Sequence, residues 1–164
     1  ADGLITISNK IVLGILTADC APVLLFDPKQ KIISAIHAGW KGAKNGIIDN
    51  SIKLMLECGS KLNNIISCIG PCIGKESYKV NNDFFRKFII ESSRNKEFFL
   101  IKENEMNFDL KSYIVKKIKN FGVKKVLFGS FDTFKDKKNF FSYRRSLKDN
   151  DKDYGRCISV IIMT

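Results

Sequence analysis

Residues 17–42 read TADCAPVLLFDPKQKIISAIHAGWKG, and this stretch decides the fold. The apolar runs from Pro22 to Phe26 and from Ile32 to His37 have the composition of two β-strands. Between them, Asp27 to Gln30 places a proline at the second position of a turn, where its fixed φ suits a type I turn. The stretch therefore predicts a β-hairpin on which the rest of the chain is built.

Composition and cysteine content indicate a cytoplasmic protein. Among the 164 residues, 45% are hydrophobic and 27% are charged, as in an ordinary soluble globular domain. No apolar run reaches the roughly 18 residues that a membrane span requires, so we expect no membrane association. The five cysteines are odd in number and lack the spacing of a disulfide framework, which is typical of reduced thiols in the cytoplasm.

The net charge of +11 raises the question of nucleic-acid binding. The lysines are scattered along the chain, and no helix-turn-helix, zinc-finger or aromatic-basic strand motif accompanies them. We therefore expect no nucleic-acid partner. A small anionic ligand such as a phosphate ester would benefit from the same positive field.

The rest of the chain alternates between predicted strands and helices. Strands are predicted over residues 4–7, 11–16 (buried), 65–69, 123–128 and 157–162, and helices over 43–57, about 82–89 and about 110–118. The run Asn81-Asn82-Asp83 caps the second of these helices and Asp109 the third, while Gly59 and Gly122 occupy C-terminal cap positions. Residues 92–107 are charged and predict loop or edge structure. The pattern predicts an α/β (α+β) fold, a single domain over residues 1–164 with mixed β-sheets packed together and flanked by helices.

The hairpin brings a cysteine close to the only histidine in the chain. If the Asp27–Gln30 turn is tight, residues whose numbers sum to about 58 face each other, which pairs Ala21 with His37. Cys20 then lies within the ~5–8 Å that separates neighbouring cross-strand Cβ atoms. A thiolate and an imidazole can bind zinc or copper, or act as nucleophile and base, and Asp19 can orient either partner. Alternatively, both side chains simply pack in the core.

Two further groups of residues suit anionic ligands. The segment from Gly39 to Gly42 lies between a strand and a predicted helix, where free N–H groups and the helix dipole favour phosphate. Three of the five arginines, Arg144, Arg145 and Arg156, lie close together in the sequence among aromatic residues. A guanidinium binds phosphate through two hydrogen bonds, and an aromatic ring stacks on a purine. The alternative for the arginine group is an edge strand with solvated side chains.

Together these motifs resemble the signatures of the YfiH-like family, also called the laccase-domain, multicopper polyphenol oxidase or purine nucleoside phosphorylase family. The resemblance extends from the first residue to the last strand, in the family's order. The matching stretches are ADGLIT at 1–6, TADCAPVLL at 17–25, DP at 27–28, AIHAGWKG at 35–42, GPCIG at 70–74, FFSYRR at 140–145 and GR at 155–156.

The resemblance implies an enzyme of purine nucleosides. The expected reactions are phosphorolysis of adenosine, inosine or methylthioadenosine, with phosphate as the second substrate, and deamination of adenosine. The family site implies that Cys20 and His37 bind zinc, or copper, and we expect these two residues and Asp19 to be catalytic. The expected substrate-binding residues are Gly39, Trp40, Lys41, Gly42, Arg144 and Arg145.

The chain departs from the family pattern at the third metal ligand. In the family this ligand is a histidine in a Q-V-H motif upstream of the position where this chain begins, and His37 is the only histidine here. We therefore expect an N-terminally truncated chain and a partner segment that supplies the missing histidine. Lys41 also replaces an arginine of the family pattern, and Asp132-Thr133 replaces a Cys-Thr pair.

Three other functions are open from the sequence. Without metal, the Cys20–His37 pair suits a hydrolase that acts on an amide, and the family resemblance implies peptidoglycan precursors as one such substrate. The pair can also bind copper, and the resemblance then implies oxidation of phenols. The third alternative is an inactive fragment that a partner completes.

Overall fold

The computed structural model describes residues 2–103 and 105–164. The strands are β1 (Gly3–Thr6), β2 (Val12–Thr17), β3 (Ala21–Asp27), β4 (Ile32–Ala38), β5 (Ile66–Ile69), β6 (Phe99–Lys102), β7 (Glu105–Phe108), β8 (Lys125–Phe128) and β9 (Cys157–Ile162). The helices are α1 (Trp40–Lys44), α2 (Ile47–Glu57), α3 (Asn82–Glu91), α4 (Leu110–Phe121) and α5 (Tyr143–Asp149), with a 3-10 helix over Ser93–Phe98. None of the helices in these two ranges is long and apolar enough to cross a membrane.

A five-stranded sheet forms the centre of the fold. Its strand order is β1-β4-β3-β5-β8, and every neighbouring pair is antiparallel except β5 and β8, which run parallel. Strands β2 and β9 form a separate antiparallel ribbon, and β6 and β7 form a hairpin. These mixed sheets with their helices confirm the predicted fold class.

Side-chain alternation gives the central sheet two apolar faces. Val23 and Leu25 of β3 point to one face, where they belong to the same buried cluster as residues of α2, α3 and α4. On the other face, Ile33 of β4 packs in a second cluster with Leu13 and Ile15 of β2. The helices therefore cover one face of the sheet, and the β2–β9 ribbon covers the other.

The β3–β4 hairpin forms as predicted, but its register differs by one residue. The numbers of paired residues sum to 59, so His37 faces Pro22 and the predicted pairing with Ala21 is wrong. The reason is the length of the turn. Asp27 pairs with Ile32, which leaves four residues between the strands, and the last of these four has a left-handed φ of 52° that closes the longer loop.

The helix predicted over residues 43–57 is in fact two helices. Helix α1 ends at Lys44 and α2 begins at Ile47. Gly46 between them has a left-handed φ of 90°, which a continuous α-helix does not contain. Because α1 is a single turn, its dipole is weaker than that of the long helix predicted from the sequence.

Strand β2 is only half buried, in contrast to the prediction of a buried strand over residues 11–16. Its side chains alternate between exposed and buried because the ribbon has the central sheet on one side only. Residues 92–103 and 105–107, predicted as loop or edge structure, contain the 3-10 helix and most of the separate β6–β7 hairpin, and they place Phe98 and Phe99 in the core. Predicting the segment from its charge alone therefore missed an aromatic part of the core.

The N-cap predicted at Asp109 is confirmed, and within the predicted capping run of residues 81–83 the N-cap residue is Asn81. The side chain of Asn81 accepts a hydrogen bond from the N–H of Phe84 at 2.9 Å, and that of Asp109 accepts one from Ser112 at 2.9 Å. At the other end of α4, Gly122 has a left-handed φ of 114°, as its capping role requires. These signals are local, and the structure reproduces them.

An aromatic cluster fills the core between α3, the β6–β7 hairpin and α4. Phe88 is fully buried in this cluster, and its ring centroid lies 5.0, 4.7 and 5.1 Å from those of Phe84, Phe108 and Tyr113. Trp40 lies at the edge of the cluster, with its ring centroid 4.7 Å from that of Phe84. The cluster thereby fixes the position of Trp40, one of the residues predicted to bind substrate.

Asp27 stabilises the turn between β3 and β4 through its carboxylate. The side chain accepts hydrogen bonds from the backbone N–H groups of Lys29, Gln30 and Lys61 at 2.9, 3.0 and 3.2 Å. Burial acts to raise the pKa of Asp27, but the backbone N–H donors outweigh it and lower the pKa below its usual value.

We expect Asp27→Ala to lower the free energy of unfolding at pH 7 by about 1–3 kcal/mol, because three backbone donors lose a charged acceptor. Since the pKa of Asp27 is lower in the folded state, its stabilisation is complete above the unfolded pKa of about 3.9 and is lost as the pH falls through the folded pKa. Urea unfolding from pH 7 downwards measures this, with Asp151→Ala in an exposed loop as the control. A difference from wild type that does not change with pH would contradict the prediction.

Candidate active site

The turn between β2 and β3 places Asp19 where it connects distant parts of the chain. Asp19 is buried and has a left-handed φ of 78°, a conformation that aspartate tolerates better than most residues. Its carboxylate accepts hydrogen bonds from the hydroxyl of Thr133 at 2.7 Å, the hydroxyl of Ser142 at 2.9 Å and the backbone N–H of Arg144 at 2.7 Å. This carboxylate therefore holds the beginning of α5, and its role in orienting Cys20 or His37 stays a prediction.

The arginine motif begins a helix and does not form an edge strand. Ser142 is the N-cap residue of α5, and its hydroxyl oxygen accepts a hydrogen bond from the N–H of Arg145 at 3.1 Å. The Asp19 carboxylate at the same helix end also interacts favourably with the helix dipole. Two anchors thus fix the first turn of α5, which carries both Arg144 and Arg145.

Arg145 uses its guanidinium to hold the loop that precedes α5. Its Nη1 donates to the carbonyls of Thr133 and Phe134 at 2.7 and 2.9 Å, and its Nη2 donates to the carbonyl of Phe140 at 2.6 Å. These contacts give Arg145 a positioning role in this structure. Its assignment to substrate binding stays a prediction.

Arg144 lies on the surface above Tyr78. Its Cζ atom is 5.0 Å from the centroid of the Tyr78 ring, and its Nη1 donates to the carbonyl of Lys79 at 3.1 Å. Burial raises the pKa of Tyr78 to about 12, although the guanidinium acts to lower it. Because a guanidinium has five N–H donors and the Lys79 carbonyl takes one, Arg144 can bind an anion while it keeps this contact.

Two cavities meet at Arg144. The first has a volume of about 420 Å³ and is lined by Trp40, Lys79, Val80, Asn81, Phe84 and Arg144. The second has a volume of about 370 Å³ and is lined by Glu76, Ser77, Lys79, Phe134, Lys135, Arg144 and Lys148. The first cavity therefore combines an aromatic wall with a guanidinium, and it brings together two predicted substrate-binding residues that are far apart in the sequence.

The loop around Trp40 carries positive charge. The Nζ atoms of Lys41 and Lys87 lie 5.6 and 5.5 Å from the centroid of the Trp40 ring, within the range of cation–π contacts. Gly39 is the N-cap residue of α1, and Gly42 lies within its single turn. Phosphate binding by the Gly39–Gly42 segment stays a prediction.

Cys20 lies against the backbone of Gly39. A Cβ atom built on Gly39 would lie 2.8 Å from the Sγ of Cys20, so a larger residue here would force the thiol to shift. Burial first, and then the carboxylates of Asp19 and Asp2, raise the pKa of Cys20 to about 11. A thiol with this pKa is protonated at neutral pH, which disfavours the metal-free cysteine hydrolase.

His37 lies at the end of β4 with 37% of its side chain exposed. Its backbone N–H donates to the carbonyl of Asp2 at 2.7 Å, and its Nδ1 is 4.0 Å from Oδ1 of the same residue. The residue paired with His37 is Pro22, which follows Cys20 by two positions. The cysteine and the histidine therefore lie at the same end of the hairpin, on neighbouring segments of chain.

The described residues do not complete a metal centre of the expected kind. Among residues 2–103 and 105–164, no group of three or more His, Cys, Asp or Glu side chains is placed to hold a metal ion. Zinc sites take three or four protein ligands, and the carboxylate of Asp19, next to Cys20 in the chain, already accepts three hydrogen bonds. Cys20 and His37 would need a further ligand that these residues do not provide.

Sequence reasoning missed three residues that shape this site. Ser142 and Thr133 bind Asp19, and Tyr78 supports Arg144. Ser142 had a readable signal, because a serine directly before a polar, non-β segment is a typical N-cap. Tyr78 had none, since its contact with Arg144 exists only once the chain has folded.

All 164 residues match the family described as "Multi-copper polyphenol oxidoreductase laccase". The chain belongs to this family. Its resemblance to YfiH-like proteins, inferred above from ordered motifs, is thereby confirmed. The family relatives include a purine nucleoside phosphorylase of Rickettsia conorii, which is 39% identical over 99% of this chain and 68% of the relative. A purine nucleoside phosphorylase of Haemophilus influenzae is 32% identical over 98% of this chain and 64% of the relative.

Two solved structures share this fold. The hypothetical protein YfiH of Bacillus licheniformis superposes with a TM-score of 0.89 at 32% identity, over 99% of this chain and 61% of that chain. The protein NMB0706 of Neisseria meningitidis superposes with a TM-score of 0.88 at 29% identity, over 100% of this chain and 65% of that chain. This family member thus spans about two thirds of the length of its relatives.

Proposed function

We propose that this chain contributes the nucleoside-binding part of an enzyme that cleaves purine nucleosides with phosphate. The observation that carries the proposal is the cavity lined by Trp40, Phe84 and Arg144, which joins aromatic surface to a guanidinium. An aromatic wall suits the flat purine, and a guanidinium suits the phosphate. Relatives that match nearly the whole of this chain are named purine nucleoside phosphorylases, which supports the same function.

The reaction requires that phosphate and nucleoside meet in one place. An oxygen of phosphate forms a bond to C1′ of the ribose while the bond from C1′ to the purine nitrogen breaks. The purine leaves with the bonding electrons and takes up a proton, and the ribose keeps the phosphate. In our proposal Arg144 holds the phosphate, Trp40 holds the purine, and Asp19 fixes the helix that carries Arg144. Adenosine deamination, in which water replaces the amino group at C6, is the second reaction that we propose.

The proposed metal is zinc, with copper as the alternative, and Cys20 and His37 are its proposed ligands. Because the described residues lack a third ligand for such a centre, we propose that a partner segment supplies it. Metal analysis after dialysis tests this. We expect substoichiometric zinc in the 164-residue chain and less in Cys20→Ser and His37→Ala. Equal zinc content in the three proteins would contradict the assignment, and Cys58→Ser, at an exposed cysteine, is the control.

Product analysis tests the activity itself. The purified chain is incubated with adenosine and phosphate, with and without a chelator, and the products are separated by chromatography. Adenine with ribose phosphate indicates phosphorolysis, and inosine with ammonia indicates deamination. If neither appears with this chain, nor when the part of the Rickettsia conorii relative outside the match is added, the proposal fails.

We expect Arg144→Ala to raise the KM for phosphate by about 10–100-fold, because a hydrogen bond to a charged group contributes about 1.5–3 kcal/mol. Arg144→Lys keeps the charge but loses the two-pronged contact, and we expect an intermediate value. Initial rates at varied phosphate concentration measure the effect, with Arg94→Ala on the exposed 3-10 helix as the control. An unchanged KM in Arg144→Ala would remove this residue from the phosphate site.

A second candidate is an inactive piece that becomes active only with a partner. It is favoured by the length of the relatives, about a third of which has no counterpart in this chain. It is also favoured by the absence, among the residues that the structure describes, of a third metal ligand near Cys20 and His37. Activity that appears only after addition of the remaining part of the relative would support it. Full activity of the chain alone would exclude it.

A further inference from the structure

A positively charged cavity lies beside the cavity that contains Trp40. The two cavities share Lys79 and Arg144 as lining residues. The described lining of the second cavity contains four cationic side chains and one carboxylate: Lys79, Lys135, Arg144, Lys148 and Glu76. A ligand that extends through both cavities would therefore meet an aromatic wall at one end and an excess of positive charge at the other.

Lys148 contributes a positive charge that has no partner in the described part of the chain. Arg144 and Lys148 are one turn apart on α5, which places both side chains on the same face of the helix. No carboxylate of residues 2–103 and 105–164 forms an ion pair with Lys148, whereas Lys135 pairs with Glu76 at 2.9 Å. Like charges at this helical spacing are destabilising, and an anion bound between them would offset the repulsion.

The second cavity has the size of a small-molecule site. Its volume of about 370 Å³ lies within the range of about 300–1,000 Å³ that is typical of ligand pockets. Inorganic phosphate would leave much of this space empty, since a water molecule takes about 30 Å³ in the liquid and phosphate is only a few times larger. A phosphate group attached to a larger molecule fits the cavity better.

We propose that this site takes nucleoside 5′-phosphates, with the purine against Trp40, the ribose beside Arg144 and the 5′-phosphate in the second cavity. The inference rests on the proposed function, whose nucleoside site it extends. Arg144 can serve both cavities, because the Lys79 carbonyl takes only one of its five N–H donors. Lys148 and Lys135 are then the residues that distinguish a nucleotide from a nucleoside.

Binding of adenosine and of adenosine 5′-monophosphate to the 164-residue chain tests the proposal. Trp40 is the only tryptophan and lines the first cavity, so quenching of its emission reports a bound purine. Calorimetry repeats each titration, so that a complex without a fluorescence change is also detected. We expect the monophosphate to bind at least about tenfold more tightly than adenosine, because charge-assisted hydrogen bonds hold its phosphate.

Two variants of the second cavity have opposite expected effects. Lys148→Ala should weaken binding of the monophosphate about three- to fivefold, the modest effect of an exposed charge, and leave adenosine binding unchanged. Glu76→Gln removes the carboxylate and should strengthen binding of the monophosphate. The control is Lys53→Ala, which removes the same charge from an exposed position on α2, outside both cavities, and should change neither affinity.

Each result decides for or against the proposal. Equal affinities for adenosine and its monophosphate overturn it, while the nucleoside site of the proposed function stands because adenosine still binds. If neither ligand binds, both proposals fail. A loss in Lys148→Ala no larger than that in Lys53→Ala also overturns it, since the preference would then come from the overall charge of +11. Ribose 5-phosphate that binds as tightly as the monophosphate would show that the two cavities do not act as one site.

Discussion

Replacement of Asp19 by alanine is expected to lower the free energy of unfolding by about 3–5 kcal/mol, the cost of removing one partner from a buried charged network. The carboxylate accepts hydrogen bonds from Thr133, Ser142 and the backbone of Arg144, and all three donors would lose their acceptor. Alanine also tolerates the left-handed φ of 78° less well than aspartate does. Equilibrium unfolding in urea measures the loss.

Asp19→Asn separates the two causes. Asparagine accepts the left-handed backbone and keeps one carbonyl oxygen, so we expect this variant to lose less stability than Asp19→Ala but still to be weaker than wild type. Asp151→Ala, at an exposed loop position, is the control and should change the free energy of unfolding by less than about 0.5 kcal/mol. If Asp19→Ala is as stable as this control, the hydrogen bonds of Asp19 do not hold α5.

The second large effect is expected at Phe88. Phe88→Ala removes the ring of a fully buried residue, and such substitutions typically lower the free energy of unfolding by about 3–5 kcal/mol. Phe88→Leu fills more of the space and should lose less. Phe128→Ala is the control, because Phe128 is about half exposed on β8 and its removal leaves no buried cavity.

Phe88 also offers a readout at the site. Trp40 is the only tryptophan, and its ring centroid lies 6.2 Å from that of Phe88. In Phe88→Ala we expect the folded protein to show red-shifted tryptophan emission, because water gains access to the edge of the aromatic cluster. An unchanged spectrum together with wild-type stability would mean that Phe88 does not support Trp40.

Local signals in the sequence were sufficient to predict the helix caps. They were not sufficient to predict the register of the β3–β4 hairpin or the break between α1 and α2. The N-caps at Asn81 and Asp109 depend on a residue and its neighbour three positions on, so the sequence alone predicts them. The hairpin register depends on whether Lys31 adopts a left-handed φ, which its residue type does not indicate. The division of the long predicted helix depends on Gly46, since a glycine within a helical pattern is compatible with either outcome.

At the candidate site, the sequence likewise predicted the residue types but not how these residues are arranged in space. Motifs identified Trp40 and Arg144 as candidate substrate-binding residues. Their meeting in one cavity depends on the Asp19 network and on Tyr78, contacts between segments that no spacing in the sequence connects. The third metal ligand could not be found by either route, because the described residues do not contain it.

The hydrogen bonds of Asp19 also determine when the cavity can form during folding. They join residues 114, 123 and 125 positions apart, whereas the β3–β4 hairpin joins neighbours in the sequence. Closure of such long loops is entropically unfavourable and slow, so we expect the hairpin to form early and the docking of α5 to come late. On the ribosome, Cys20 and His37 would be brought together well before Arg144 has been synthesised. Until then, the Asp19 carboxylate has none of its three donors, and water must solvate it in their place.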